Sequence, residues 1–267
     1  MCFLKRIIFI ITYSLIINFN INAQEIQKVT ILADENYPPY TYVENGEMKG
    51  IYVDIVTESA KLISAMYKVE IVGVPWKRGL ETIKAGQALA ILPPYKHVEK
   101  RRYMWPYSLP LMTENVVAFC HKNIDIFNYI RNPSKKIITP LNIGINTDYL
   151  ILNKELEQAT LLNNIILREN KSTSSNIMKL YFGRIDCYVN DKLSTLWELS
   201  KISKDRNVSF ENIKEALFVI PQTAHIGYTN NDSHNFTFKN DFVFKMDKAL
   251  SELMSSNKYQ EIISRYK

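Results

Sequence analysis

Asn36-Tyr37-Pro38-Pro39-Tyr40-Thr41-Tyr42, followed by Asn45-Gly46-Glu47-Met48-Lys49-Gly50-Ile51-Tyr52-Val53-Asp54-Ile55, is the stretch that sets the reading of this chain. Extended runs at 40–43 and 48–53 flank Asn45-Gly46, a hairpin signal, because both residues accept the positive φ that a tight turn between twisted strands needs. Upstream, residues 29–33 are an apolar run of strand length. Downstream, Ile55, Val56, Ala60, Leu62 and Ile63 fall on the inward face of an amphipathic helix. A strand at 69–74 follows, then a helix at 77–85 that stops at Gly86. Short apolar strands alternating with helices put the chain in the α/β class.

After a strand at 115–120 and a polar stretch, the alternation restarts. Ile143-Gly144-Ile145, a helix near 150–158, a strand at 164–167, a helix near 174–182 and a strand at 185–189 follow in turn. Strands at 216–220 and 226–228 lead to two terminal helices with Leu250, Leu253, Ile262 and Ile263 inward. The restart predicts a second lobe; one continuous α/β domain is the other organisation the periodicity permits. There is no internal repeat.

With 46% hydrophobic and 22% charged residues, the 267-residue chain is globular rather than disordered. Lys5 and Arg6 precede an apolar run at 7–17 and a short polar stretch ending at Ala23, which reads as a secretory signal peptide over residues 1–23. The alternative is a membrane anchor, but the run falls short of the ~20 residues a span needs. Lys5 and Arg6 carry two of the formal net charge of +6, leaving +4, diffuse and without a basic run longer than Lys100-Arg101-Arg102, so nucleic acid is not expected. Of the cysteines, Cys120 and Cys187 lie beyond the leader; two separate buried thiols are the expected state, and a pair is what an oxidising periplasm would allow. No metal-ligand spacing, phosphate loop or nucleophile motif is present, and no cofactor is expected.

The opening stretch resembles that of the family 3 extracellular solute-binding proteins, whose pattern is approximately Y-P-P-F, a turn, then G-x-x-V-D-(L/I). Trp76, Leu80, Ile83, Gly86, Ala90-Ile91, Arg101 and Tyr107-Ser108-Leu109-Pro110 match a second block without a gap. Leu180-Tyr181-Phe182-Gly183-Arg184-Ile185-Asp186-Cys187-Tyr188-Val189-Asn190-Asp191 is similar to the family's L-x-x-G-(R/K)-(I/V)-D-A-x-x-x-D, and 257–266 is similar to its last helix. The resemblance implies a two-lobed periplasmic-binding-protein fold of type II, the Venus flytrap. Two hinge-crossing strands, near 117–121 and 226–229, would join its lobes. Lobe 1 would comprise 24–118 plus 228–267, and lobe 2 residues 119–227. It further implies a monomer in the periplasm that closes over a small polar solute, an amino acid or related carboxylate, and hands it to the membrane permease of an ABC transporter.

A zwitterion needs a cation, an anion and a flat platform. Arg101 falls on the family's carboxylate-binding arginine, with Arg102 as the alternative if the register slips, and Asp191 on the acid that takes the ammonium. Tyr37 and Trp76 fall on two ligand-flanking aromatics, with Asp34 nearby. Asp186, Tyr40 and Tyr52 read as framework. In place of the family's small residues before the arginine stand Pro94, Tyr95 and Lys96, so Tyr95 and Lys96 join the expected site, and Lys96 suggests a more anionic ligand. The family's glycine-rich turn is replaced by Asn146-Thr147-Asp148-Tyr149, which supplies no expected site residue. The rival readings are an enzyme of the dehydratase type on the same fold, using His97 or Lys96, and a stand-alone sensory binding protein; the main reading has no catalytic residue.

Overall fold

The structure is a computed structural model that describes residues 25–131, 137–231, 234 and 236–266; the leader expected at 1–23 lies outside them. β1 (Gln27–Asp34) is followed by β2 (Asn36–Tyr37), β3 (Thr41–Glu44) and β4 (Glu47–Lys49), and the last three form a small antiparallel sheet. Asn45 and Gly46 adopt φ of 54° and 82°, as the hairpin reading requires. The strand expected to run to residue 53 ends at Lys49, because α1 (Ile51–Lys61) begins two residues later. Gly50 makes the switch: its φ is 126°, and a Cβ there would lie 2.2 Å from the Tyr40 carbonyl oxygen. Ile55 and Val56 are buried as expected, whereas Leu62, the C-cap, is 50% exposed.

β5 (Tyr67–Val74), α2 (Trp76–Lys84), β6 (Ala90–Leu92) and β7 (Met104–Tyr107) continue the first lobe. The second is built from β8 (Met112–His121), α3 (Phe127–Ile130), β9 (Leu141–Asn146), α4 (Lys154–Leu161), β10 (Ile165–Asn170), α5 (Thr173–Tyr181), β11 (Cys187–Asp191), α6 (Lys192–Arg206) and β12 (Ile213–Ala224). The chain then returns through β13 (Gly227–Thr229) to α7 (Lys239–Met254) and α8 (Asn257–Ser264). The first sheet has the order β5-β1-β6-β13-β7 and the second β10-β9-β11-β8-β12. Ile31, Ile55, Phe242 and Leu250 are buried around the first sheet in a cluster that continues to Ile143 of the second, and Ile177, Leu180 and Tyr188 pack a separate cluster on the second.

One helix begins later than expected, and another was not expected at all. The helix expected from 150 begins at Lys154, because the Asn153 side chain accepts from the Leu156 backbone N–H and caps it. α6 had no sequence signal, since Ser194, Thr195 and Glu198 are buried on it beside Ile202, so its inner face is mostly polar. β8 pairs with β12 from Met112↔Ala224 to His121↔Ile213, so the stretch expected to cross near 117–121 lies within the second sheet.

Cys120 and Cys187 are not separate thiols. Antiparallel pairing of β8 and β11 sets them directly opposite, with Cα atoms 4.0 Å apart, and they form a disulfide. Cross-strand register put the two sulfurs together, and no pattern in either strand alone carried that information.

Candidate functional site

β1, β5 and β6 run parallel, and the chain emerging from their C-terminal ends supplies Asp34, Trp76, Pro93 and Tyr95. That edge of an open α/β sheet is where ligand crevices form. A cavity of about 30 Å³ lies there, room for about one water molecule, lined by Asp34, Tyr37, Trp76, Tyr95 and Arg101 among others. Five of the seven residues expected from sequence therefore share one cavity. Across it stand Tyr149, Leu150 and Ile151, which follow β9 of the second sheet.

Arg101 is 4% exposed, while Arg102 is exposed. Its guanidinium lies 5.4 Å from the Trp76 ring centroid, and Nη2 donates to the Asp148 carbonyl oxygen at 3.0 Å. Among the described residues no carboxylate pairs with it. Burial lowers its pKa, partly offset by the nearby Asp148 charge, yet an arginine keeps its proton, so the cavity holds a cation without a salt-bridge partner among the described residues. The Trp76 indole N–H is buried without an acceptor, a second donor at the same cavity.

Asp34, also 4% exposed, accepts from the Asn36 backbone N–H at 3.0 Å and from the Tyr149 hydroxyl at 3.1 Å. Burial pushes its carboxyl up to about 6, against the opposing effect of both hydrogen bonds. Tyr37 and Trp76 flank Tyr149 edge-on, with ring centroids at 5.7 and 6.2 Å. The tyrosine on which no expectation rested is thus at the centre of the aromatic wall. One signal could have found it: Tyr149 follows the C-terminal end of a second-lobe strand, the edge that lines crevices.

Two expected residues lie elsewhere. Asp191 is buried at the end of β11, where its carboxylate accepts from the Tyr40 hydroxyl at 2.8 Å, from Ser194 N–H at 2.8 Å as the cap of α6, and from Asn115 N–H at 3.1 Å. It does not line the cavity, and its oxygens serve the framework; the carboxyl that does line the cavity is Asp34, which like Arg101 belongs to the first lobe. Lys96 is exposed, with Nζ 5.7 Å from the Trp105 ring centroid, and does not line the cavity. His97, offered for acid–base chemistry, is half-buried, and its pKa is lowered by burial and then by Arg101.

Beneath the cavity lies Glu114, which sequence reading missed because it is one acid inside an apolar strand. It is 1% exposed and accepts from the hydroxyls of Tyr37, Tyr52 (2.6 Å) and Tyr95 (2.5 Å). Burial, then the nearby Asp191 carboxylate, push its carboxyl up to about 8.

The sequence pattern of the bacterial extracellular solute-binding proteins, family 3, matches residues 29–267. No curated protein sequence matches the chain. Among solved structures, a histidine kinase sensor domain with similarity to periplasmic binding proteins superimposes with a TM-score of 0.71 at 15% identity, over 90% of this chain and 96% of that one. The substrate binding protein of an amino acid ABC transporter gives 0.66 at 17% identity, over 90% and 98%. The ancestral amino acid-binding protein AncCDT-1, a precursor of cyclohexadienyl dehydratase, gives 0.65 at 15% identity, over 90% and 94%. At these identities the likeness establishes the two-lobed fold of type II binding proteins.

Proposed function

Since the chain belongs to family 3 of the bacterial extracellular solute-binding proteins, we propose that it binds a small zwitterion, an amino acid or close relative, between its lobes and releases it unchanged. The observation that carries this reading is that a buried Arg101 without a salt-bridge partner and a buried Asp34 line one aromatic-walled cavity. Arg101 offers a planar fork to a carboxylate, Asp34 accepts from an ammonium, and Trp76 and Tyr37 hold the body of the solute with few rotamers to freeze. Neither charge alone would make the site selective, because a solute lacking one end would leave the other partner unpaired.

We further read the chain as an exported protein that hands its solute to an ABC permease. The resemblance of its first residues to a leader supports export, and so does the Cys120–Cys187 disulfide, which persists in an oxidising compartment. One observation favours the enzyme reading: Asp34 and Glu114 are buried carboxyls raised into the range useful for proton transfer. A melting screen against amino acids, small carboxylates, polyamines and cyclic acids separates the readings. An amino acid that raises the melting temperature and is recovered intact supports binding. A screen without any amino-acid hit refutes the proposal, and conversion of a cyclic acid replaces it with the enzyme.

A further inference from the structure

Two adjacent residues of the second lobe bond to both charged groups of the cavity. The Asp148 carbonyl accepts from Arg101 Nη2 at 3.0 Å, and the Tyr149 hydroxyl donates to Asp34 Oδ2 at 3.1 Å. Between these bonds the Tyr149 ring makes edge contacts with Tyr37 and Trp76, at 88° and 78°. An acceptor on the arginine, a donor on the aspartate and a ring against the aromatic wall are the three things a bound zwitterion would supply.

The segment is built to present them. Tyr149 N–H donates to the Asn146 carbonyl at 3.1 Å and Thr147 N–H to the Asn170 carbonyl at 2.9 Å, closing a turn at the end of β9. Asp148 sits in it with φ of 62°, a left-handed conformation uncommon for a residue other than glycine and found at ligand clamps and switches. What is left of the cavity, about 30 Å³, is far below the several hundred Å³ of ordinary solute sites.

We propose that Asp148 and Tyr149 act as a built-in surrogate for the solute, closing the lobes in its absence, so that Tyr149 determines which solutes bind by competing with them. A solute enters only by repaying the bonds and ring contacts the segment gives up. Its apparent affinity is lowered in proportion to the self-closed fraction, and weak solutes are excluded. The self-closure stands on the geometry alone; the effect on affinity rests on the amino-acid reading above.

The test uses spin labels at two exposed positions, Arg78 on α2 and Glu155 on α4, in protein stripped of solute by unfolding and refolding. A single short distance is expected in the otherwise unaltered chain, a longer and broader distribution in Tyr149→Ala, and an intermediate one in Tyr149→Phe, which keeps the ring and loses only the hydroxyl. A long distance in the unaltered chain, or the same distribution in Tyr149→Ala, overturns the proposal. In the second arm, thermal shifts with the twenty L-amino acids are compared, and Tyr149→Phe is expected to bind hits about tenfold more tightly than the unaltered chain. Equal or weaker binding by Tyr149→Phe overturns the competitive role. If no amino acid shifts any variant, the proposed function fails while the distance measurement still decides the self-closure.

Discussion

The Tyr40 hydroxyl, in the first lobe, donates to the Asp191 carboxylate, in the second, over 2.8 Å. The same carboxylate caps α6 through Ser194 N–H and holds the Asn115 backbone at the start of β8. Three donors on one buried acid make it a structural joint close to where the chain passes between sheets.

Asp191 and Asp34 should therefore respond to substitution in opposite ways. Asp191→Ala removes a helix cap and strands the Tyr40 hydroxyl, which should cost about 3 kcal/mol of folding stability. Asp34→Asn should be at least as stable as the parent at neutral pH, because it removes a carboxylate whose ionisation burial disfavours, and should weaken solute binding instead. Chemical denaturation alongside calorimetry of both variants checks the split. Loss of binding in a fully stable Asp191→Ala would return that residue to the site.

The contrast also shows how far residues can be read before the fold is known. Arg101, Trp76, Tyr37, Tyr95 and Asp34 were legible through the ungapped match of their surroundings to the family's motifs, which fixes their places without knowledge of the fold. Asp191 had the right motif, but its carboxylate faces a helix N-terminus, a contact that depends on α6, which apolar patterning did not reveal. Tyr149 follows a strand end that local pattern does locate, whereas Glu114 and the disulfide depend on register between strands distant in sequence. Local pattern contains neither of the latter two.

Glu114 makes stability depend on pH in a definite direction. Its folded carboxyl titrates at about 8, above the ordinary 4.5, so the fold binds the proton more tightly than the unfolded chain does. Its contribution is complete below about 4.5 and is lost as pH rises toward 8. Asp34 and Asp191, both raised to about 6 by burial, act in the same sense over a lower window. Unfolding free energy should fall by about 2 kcal/mol between pH 6 and pH 8, and Glu114→Gln should remove most of that slope. A parent chain equally stable at the two values would contradict the burial of a protonated acid.

Removing the disulfide should be costly. Cys120 and Cys187 are 67 residues apart in sequence, and opening a loop of that size releases chain entropy worth about 4 kcal/mol on the polymer estimate. Urea unfolding of the Cys120→Ala, Cys187→Ala double variant, compared with the oxidised parent, measures it. A midpoint shift equivalent to less than about 1 kcal/mol would show that the cross-link constrains little.

Solute affinity should carry the titration of Asp34. Below about pH 6 its carboxylate takes up a proton and can no longer balance an ammonium, so the dissociation constant should rise about tenfold per pH unit. In Asp34→Asn the profile should be flat at the weaker value. Titrations at pH 5, 6 and 7.5 distinguish this from a pH-independent site.

The most direct test of the account is calorimetric titration of the strongest amino-acid hit into the parent chain and into Arg101→Met, which keeps bulk while removing the buried cation. The variant should fold with equal or greater stability, because an unpaired buried charge is costly, and should bind about 100-fold more weakly or not at all. Affinity within about threefold of the parent would show that the solute carboxylate is held elsewhere, and the zwitterion reading of the cavity would be wrong.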